Sequence, residues 1–367
     1  MNQAELMNRW ILNKELNQAE TAEGKIVLDS RPRTLMAILT TKCNLKCIMC
    51  TRVKLKPQSL PFEVVERFYS LFPYLERVDW QGGEVFLVDY FKNLFLKTAS
   101  FPHILQNINT NALLIDKEWA EIFAHSNVSL LCSIDSVVKA TYETIRYGGR
   151  FENLLNSLDL INEANKKYNG KVNLDLVAVV MKRNYRELSL FPEFCRKYNF
   201  RSLLFDTLWP ELVPEENILS NPEVDTVKYL KGVLNKVEHE CNKHHIHFHC
   251  TFESHLRGDM KQEDSLNKRE DIIYLNDERN LQFNLTCFAP WNNMFIDVDG
   301  QVRPECKCFR AVGNIKCNTW EEIWNGEIMQ LYRNSIKNRE IDSICSDMCK
   351  FYATLDRREK KTERVCQ

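Results

Sequence analysis

From Leu35 onward, apolar runs of strand length alternate with longer amphipathic stretches, and this alternation limits what the chain can fold into more than any other feature. Parallel strands need a crossover long enough to return to the same edge of the sheet, so strand-length runs separated by helical patterns are the mark of βα units. Strands are expected at Leu35–Thr40, Arg77–Trp80, Ile104–Asn109, Val128–Ile134, Val172–Val180 and Ser202–Phe205. Helical patterns fall between them at Phe62–Phe72, Lys117–His125, Phe151–Lys166 and Tyr185–Tyr198. The expected class is therefore α/β with a parallel sheet. In barrels of such units, chemistry gathers at the carboxyl ends of the strands.

Composition narrows the function classes. The 367 residues exceed one average domain, yet a barrel of roughly 250 residues with a small appendage also fits. A hydrophobic content of 44% with 27% charged residues suffices for a sizeable core. The net charge of −1 gives no basis for attraction to nucleic acid or to a membrane surface. No apolar run approaches the ~20 residues that span a bilayer, and Asn2, Gln3 and Glu5 are unlike a signal peptide. A cytoplasmic protein with no nucleic-acid and no membrane partner is expected. In that reducing compartment, fourteen cysteines argue for metal ligands over disulfides.

Three of those cysteines share one loop after the first strand, Thr41-Lys42-Cys43-Asn44-Leu45-Lys46-Cys47-Ile48-Met49-Cys50. Three thiolates on a short loop can hold three corners of a cubane iron–sulfur cluster, for which four is the usual count. An absent fourth ligand leaves one iron with an open position, much as catalytic zinc sites keep one. A zinc knuckle or three buried thiols is the alternative, although zinc spacings come as repeated C-x2-C pairs.

A strand followed by C-x3-C-x2-C resembles the radical S-adenosylmethionine (SAM) enzymes. The resemblance implies a partial (β/α)6 TIM-like barrel and a [4Fe–4S] cluster on Cys43, Cys47 and Cys50 whose open iron binds SAM. It also implies reductive cleavage of SAM to a 5′-deoxyadenosyl radical, with an electron donor such as flavodoxin or ferredoxin. Gln81-Gly82-Gly83-Glu84, directly after the second strand, is similar to the family's GGE motif, with Val85 in place of the usual Pro. By that likeness Gly82, Gly83 and Glu84 receive the methionine amino group, the glycines letting backbone approach a ligand closely. Asn109-Thr110-Asn111 and Ser133-Ile134-Asp135-Ser136 resemble the TNG and SIDG positions, with Ala112 and Ser136 replacing the glycines. Asn109 and Ser133 are thus candidates for holding a ribose or carboxylate. Arg146 falls where related enzymes carry an Arg that could grip the SAM carboxylate; a solvated helix charge is the alternative. Met49, inside the cysteine loop, is the last cofactor-binding candidate.

The other cysteine-bearing end carries Cys287, Cys306, Cys308, Cys317, Cys345, Cys349 and Cys366. Phe295–Arg303 reads as a hairpin turning at Asp299-Gly300. Gly313-Asn314-Ile315 then leads to an amphipathic helix around Trp320–Ile336 and a closing Cys345…Cys349 pair. This order is similar to the SPASM/twitch extension of radical SAM enzymes and implies one auxiliary [4Fe–4S] cluster on Cys287, Cys306, Cys345 and Cys349. Cys306 sits one residue further from Gly300 than usual, so Cys308 is an alternative ligand, and the closing spacing is C-x3-C rather than C-x2-C. A structural zinc on the same thiolates is the other reading. Cys308 and Cys317, outside the ligand set, are candidate hydrogen-atom donors. Cys132, Cys195, Cys241 and Cys250 read as small buried hydrophobes. His245, His247 and His249 alternate on one expected strand face, either a metal site or surface histidines on an edge strand.

The expected divisions are a helical extension at 1–34, a barrel core at 35–210, a connecting segment with helix and strand at 211–286, and a small cysteine-rich α+β auxiliary-cluster module at 287–367. The resemblance implies abstraction of a hydrogen atom from a substrate C–H bond. A second cluster offers an exit for an electron, so oxidation of a peptide or protein, by crosslinking or dehydrogenation, is the expected outcome. The alternatives are oxidation or epimerisation of a sugar or aminocyclitol, or epimerisation of a peptide. The substrate partner is accordingly a peptide or a small molecule.

Overall fold

In the computed structural model, which describes residues 3–170, 172–208, 213–220, 222–253, 256, 287–340 and 344–345, the apolar runs become strands of one sheet. They are β1 (Thr34–Thr40), β2 (Arg77–Gly82), β3 (Leu105–Thr110), β4 (Val128–Ser133), β5 (Asn173–Val180) and β6 (Ser202–Thr207). Each pairs in parallel with the next. A seventh parallel strand, β7 (His247–Cys250), extends the sheet beyond β6. On the other side β8 (Asn293–Ile296) lies parallel to β1, followed by the antiparallel β9 (Gln301–Arg303) and β10 (Gly313–Asn314). The order is β10-β9-β8-β1-β2-β3-β4-β5-β6-β7, an open sheet and a partial barrel. The hairpin that the cysteine-rich end contributes is thus part of the main sheet, and so is the strand from the connecting segment.

Side chains alternate across this sheet. Leu35, Ala37 and Leu39 of β1, Trp80 of β2 and Leu174 and Leu176 of β5 belong to the main hydrophobic core. Helices Phe91–Ala99, Lys117–Ala124 and Phe151–Tyr168 supply Phe95, Phe123 and Leu158 to that same core. The residues between them in register face the other side. Ile38, Gln81, Asn109, Ser133, Val177 and Asp206 are all partly exposed there. One face is therefore dry and the other is open and mixed in polarity, which leaves room for ligands at the strand ends.

Several expected elements differ for local reasons. The Phe62–Phe72 pattern forms only a short helix, Phe62–Val65, followed by 3-10 turns at Glu66–Phe68 and at Phe72–Tyr74, the latter containing Pro73. Tyr185–Tyr198 divides into a 3-10 turn, Tyr185–Leu190, and a helix, Phe191–Lys197, that starts beside Pro192. The pattern at Trp320–Ile336 splits into Trp320–Trp324 and Glu327–Asn338 at Gly326, where a Cβ would lie 2.7 Å from the Glu322 carbonyl oxygen. Thr319 and Glu322 form a reciprocal capping box that starts the first half.

The histidine expectation needs correction. His245 has φ +57 and precedes the strand, so the three histidines do not share one face. His247 is exposed and His249 is buried. Among the described residues no three His, Cys, Asp or Glu side chains are grouped to hold a single metal ion. Cys132, Cys195, Cys241 and Cys250 are buried, as small hydrophobes would be. No described helix is long and apolar enough to cross a membrane. Cys349, Cys366 and the polar stretch Met260–Arg279 lie outside the described residues.

The N-terminal helix, Gln3–Glu23, is tied to the other end of the chain. Asn17 Nδ2 donates to the Trp291 carbonyl at 2.7 Å, and Leu28 N–H donates to Asn325 Oδ1 at 2.9 Å. The buried Arg333 guanidinium donates to the carbonyls of Pro290, Ile26 and Trp324 and to Asn325 Oδ1, at 2.8 to 2.9 Å. Trp320 Nε1 donates to Ser70 Oγ at 2.8 Å and Arg67 Nη1 to the Ile315 carbonyl at 2.8 Å, joining the cysteine-rich end to the turns that follow Phe62–Val65.

Candidate iron–sulfur and SAM site

The cysteine loop leaves the carboxyl end of β1 and returns beside it. Thr41 N–H donates to the Gln58 carbonyl at 2.9 Å, Leu60 N–H to the Leu39 carbonyl at 2.8 Å, and Thr41 Oγ1 to the Lys56 carbonyl at 2.8 Å. The end of β2 then seats directly on the loop's entry. Gly83 N–H donates to the Thr40 carbonyl at 2.7 Å and Glu84 N–H to the Lys42 carbonyl at 2.8 Å. A Cβ at Gly83 would lie 2.2 Å from the Lys42 carbonyl oxygen, and one at Gly82 would lie 2.7 Å from that of Thr40. Both glycines are therefore required by the approach of two polypeptide backbones.

Glu84 is fully buried, and its carboxylate accepts from Thr110 Oγ1 at 3.0 Å and from Asn111 N–H at 2.9 Å. Burial pushes its pKa up to about 7 despite these bonds. Asn111 Nδ2 donates to Asn44 Oδ1 at 2.8 Å and reaches Cys43 Sγ at 4.0 Å, so this asparagine, two residues beyond Asn109, touches the cysteine loop. Asn109 and Ser133 are partly exposed at inward positions of β3 and β4. Met49 packs with Ile48 and Val179 around a small apolar cluster of Ile145, Met181 and Leu208, separate from the main core.

Arg146 is not a solvated helix charge. Its side chain is buried, Nη2 lies 2.8 Å from Asp135 Oδ2, and Nη1 donates to Cys47 Sγ at 3.9 Å. Asp135 and Asn184, which holds the ends of β4 and β5 together, were not singled out by sequence reasoning; neither "Ser-Ile-Asp-Ser" nor "Lys-Arg-Asn" marks which residue turns inward.

These residues fit an iron–sulfur cluster. Cys43, Cys47 and Cys50 are all at least partly accessible on one loop, and Cys43 and Cys47 each have a polar donor at the sulfur. Burial pushes the Cys47 thiol up to about 11, so loading of the site must release its proton. At the other end Cys287, Cys308 and Cys345 are half-buried against the core, whereas Cys306 and Cys317 are exposed. Cys306 Sγ lies 2.8 Å from Glu305 Oε1.

Comparison with known proteins agrees with this geometry. The family model described as "Radical SAM superfamily" matches residues 37–187, and that of the SPASM "iron-sulfur cluster-binding domain" matches residues 287–350. A cysteine-type anaerobic sulfatase-maturating enzyme of Clostridium novyi is 24% identical over 328 residues, which cover 82% of this chain and 81% of that enzyme. Among solved structures, Streptococcus suis SuiB bound to its precursor peptide SuiA aligns with a TM-score of 0.60 at 18% identity, covering 87% of this chain and 70% of SuiB. Native anSMEcpe with bound AdoMet and the Cp18Cys peptide aligns with a TM-score of 0.57 at 20% identity, covering 84% and 83% of the two chains. The chain belongs to the radical SAM superfamily and carries a SPASM iron–sulfur cluster-binding domain at its C-terminal end. Its cofactors are accordingly SAM and iron–sulfur clusters.

Proposed function

We propose that this radical SAM enzyme oxidises a peptide or protein at a C–H bond, forming a crosslink or a dehydrogenated residue. The observation that carries the oxidative reading is that β8 lies parallel beside β1. The strand leading into the SAM-binding cysteine loop and the strand of the SPASM hairpin are neighbours in one sheet, so a second cluster has a fixed relation to the first. Two hydrogens leave an oxidised substrate with two electrons, and a second cluster can take the one that remains after hydrogen-atom abstraction. The peptide reading is supported by the relatives: a sulfatase-maturating enzyme, SuiB with its precursor peptide and anSMEcpe with a peptide.

When bound, the first cluster and SAM would supply the radical chemistry for removing a hydrogen atom from the substrate. Cys43, Cys47 and Cys50 would hold that cluster. The Gly82-Gly83-Glu84 turn would receive the SAM amino group, and Asn109 and Ser133 its polar groups on the open face of the sheet. Met49, Met181 and Leu208, packed in one apolar cluster, would limit water beside the cysteine loop. Cys287, Cys345 and Cys349, with Cys306 or Cys308, would hold one auxiliary [4Fe–4S] cluster. Flavodoxin or ferredoxin is the proposed class of electron donor.

The test uses anaerobically reconstituted protein, SAM and reductant in deuterium oxide, with two peptides bound by relatives: SuiA and Cp18Cys. A SAM-dependent product two hydrogens lighter, with no solvent deuterium at carbon, is expected. A product of unchanged composition with one deuterium at carbon, lost in Cys308→Ala or Cys317→Ala, would identify an epimerase instead.

A further inference from the structure

Arg146 and Asp135 form a charged pair enclosed jointly by the sheet and the cysteine loop. Asp135, just beyond β4, is fully buried and cannot swing away. Its Oδ1 accepts from Val179 N–H at 2.9 Å, and its backbone carbonyl accepts from Asn184 Nδ2 at 2.7 Å. Asn184 is itself fixed, donating to the Val179 carbonyl at 2.8 Å and accepting from Met181 N–H at 2.7 Å. The remaining carboxylate oxygen, Oδ2, holds Arg146 Nη2 at 2.8 Å. Arg146 then turns its other terminal nitrogen, Nη1, to Cys47 Sγ at 3.9 Å. The backbones are joined in the same place: Ile48 N–H donates to the Ile145 carbonyl at 3.0 Å and Lys46 N–H to the Tyr147 carbonyl at 2.9 Å. Both chain neighbours of Cys47 are thus bonded to both chain neighbours of Arg146.

A bidentate grip on a carboxylate needs two adjacent guanidinium nitrogens. Arg146 spends one N–H of each terminal nitrogen on Asp135 and Cys47, and its Nε has no partner, so a carboxylate gripped by this guanidinium would share it with both of those contacts. Hydrogen bonds to ligating sulfurs and nearby net charge are what set iron–sulfur potentials, and residues behind the ligands orient them. We infer that Arg146, aimed by Asp135, is a positioning residue for Cys47 that raises the reduction potential of the SAM-binding cluster. The inference rests on the reading that Cys43, Cys47 and Cys50 hold that cluster. It assigns the pair a purpose that a merely structural ion pair lacks: removing either charge should move the potential, and in opposite directions.

The experiment is an EPR-monitored redox titration of the full reconstituted chain as wild type, Arg146→Gln, Arg146→Lys and Asp135→Asn. The cluster is identified by the signal that changes on adding SAM. Arg146→Gln should shift its midpoint to more negative potential and Arg146→Lys should fall between that variant and wild type. Asp135→Asn should shift it positive, because a negative charge beside the Cys47–Arg146 contact is gone. Iron content should stay at the wild-type level, and SAM affinity in Arg146→Gln should stay within about threefold, well under 1 kcal/mol. An unshifted midpoint in Arg146→Gln together with a tenfold or greater loss of SAM affinity would overturn the inference and return Arg146 to the SAM carboxylate. If Arg146→Gln does not fold, equal midpoints in Arg146→Lys and Asp135→Asn overturn it. Absence of any SAM-responsive signal in the wild type would instead overturn the cluster assignment beneath it.

Discussion

The two cysteine-bearing regions are held by different mixtures of main-chain and side-chain bonds. In the loop after β1 three cysteines lie close in sequence, and their backbone is fixed by main-chain bonds to the ends of β1 and β2 and to residues 145–147. In the SPASM region Cys287, the Cys306/Cys308 pair and Cys345 are far apart in sequence; the β8–β1 ladder anchors the hairpin, and buried side chains fasten the rest. Arg333 joins Ile26, Pro290, Trp324 and Asn325, while Tyr332 Oη both accepts from Arg310 N–H and donates to its carbonyl at 2.9 Å. A site built on main-chain bonds tolerates many side-chain identities around its ligands. One built on buried side chains depends on a few residues far from the cysteines. The segment 24–33 is therefore as much a part of the SPASM region as of the N-terminus.

The largest effect should come from removing the loop cysteines. Cys43, Cys47 and Cys50 all replaced by Ala should lower iron from about eight to about four per chain and reduce 5′-deoxyadenosine formation under dithionite to background. Continued formation in this variant would break the comparison at its first member.

Next, Arg333→Met should weaken the fold on the order of 3 kcal/mol, because the carbonyls of Pro290, Ile26 and Trp324 lose their Arg333 donor while Asn325 Oδ1 keeps only Leu28 N–H. Denaturant unfolding of the wild type and variant measures this. Arg333→Lys should recover only part of it, since an ammonium lacks the planar fork that reaches separate carbonyls. Equal midpoints for Met and wild type would mean that the network does not fasten the SPASM region.

Cys287→Ala and Cys345→Ala should each lose about four irons and keep reductive SAM cleavage, because the two ligand sets share no residue. Full iron retention in both would point to other ligands or to zinc in this region.

How much was legible follows the same division. The cysteine loop, the strand runs and the Gly-Gly-Glu turn are short, local patterns, and β1 to β6 fall within a residue or two of their expected bounds. The hairpin turn at Gly300, with φ +86, was equally local. Its membership of the main sheet was not, because nothing in Asn293–Ile296 says that its partner is β1, more than 250 residues earlier. Asp135, Asn184 and Arg333 were illegible for the same reason: a polar residue in sequence looks exposed until tertiary contacts bury and satisfy it.

The smallest effect expected is a pH dependence centred on Glu84, and it separates main-chain fixing from side-chain charge within the SAM site. Burial raises its folded pKa from an ordinary 4.5 to about 7, so between these values the folded SAM-free chain holds a proton that the unfolded chain has released. The stability linked to that proton is fully present below pH 4.5 and is lost as pH rises through 7. Glu84→Gln keeps an acceptor for Thr110 and Asn111 but cannot titrate. The difference between wild type and Glu84→Gln in urea unfolding should therefore change between pH 5 and pH 7.5, with the wild type losing on the order of 1 kcal/mol per pH unit relative to the variant. If SAM's ammonium sits on this carboxylate, SAM at saturation should remove much of that relative loss, because the bound cation favours the ionised form. A pH-independent difference would mean that Glu84 is ionised throughout, and that the bonds from Thr110 and Asn111 outweigh its burial.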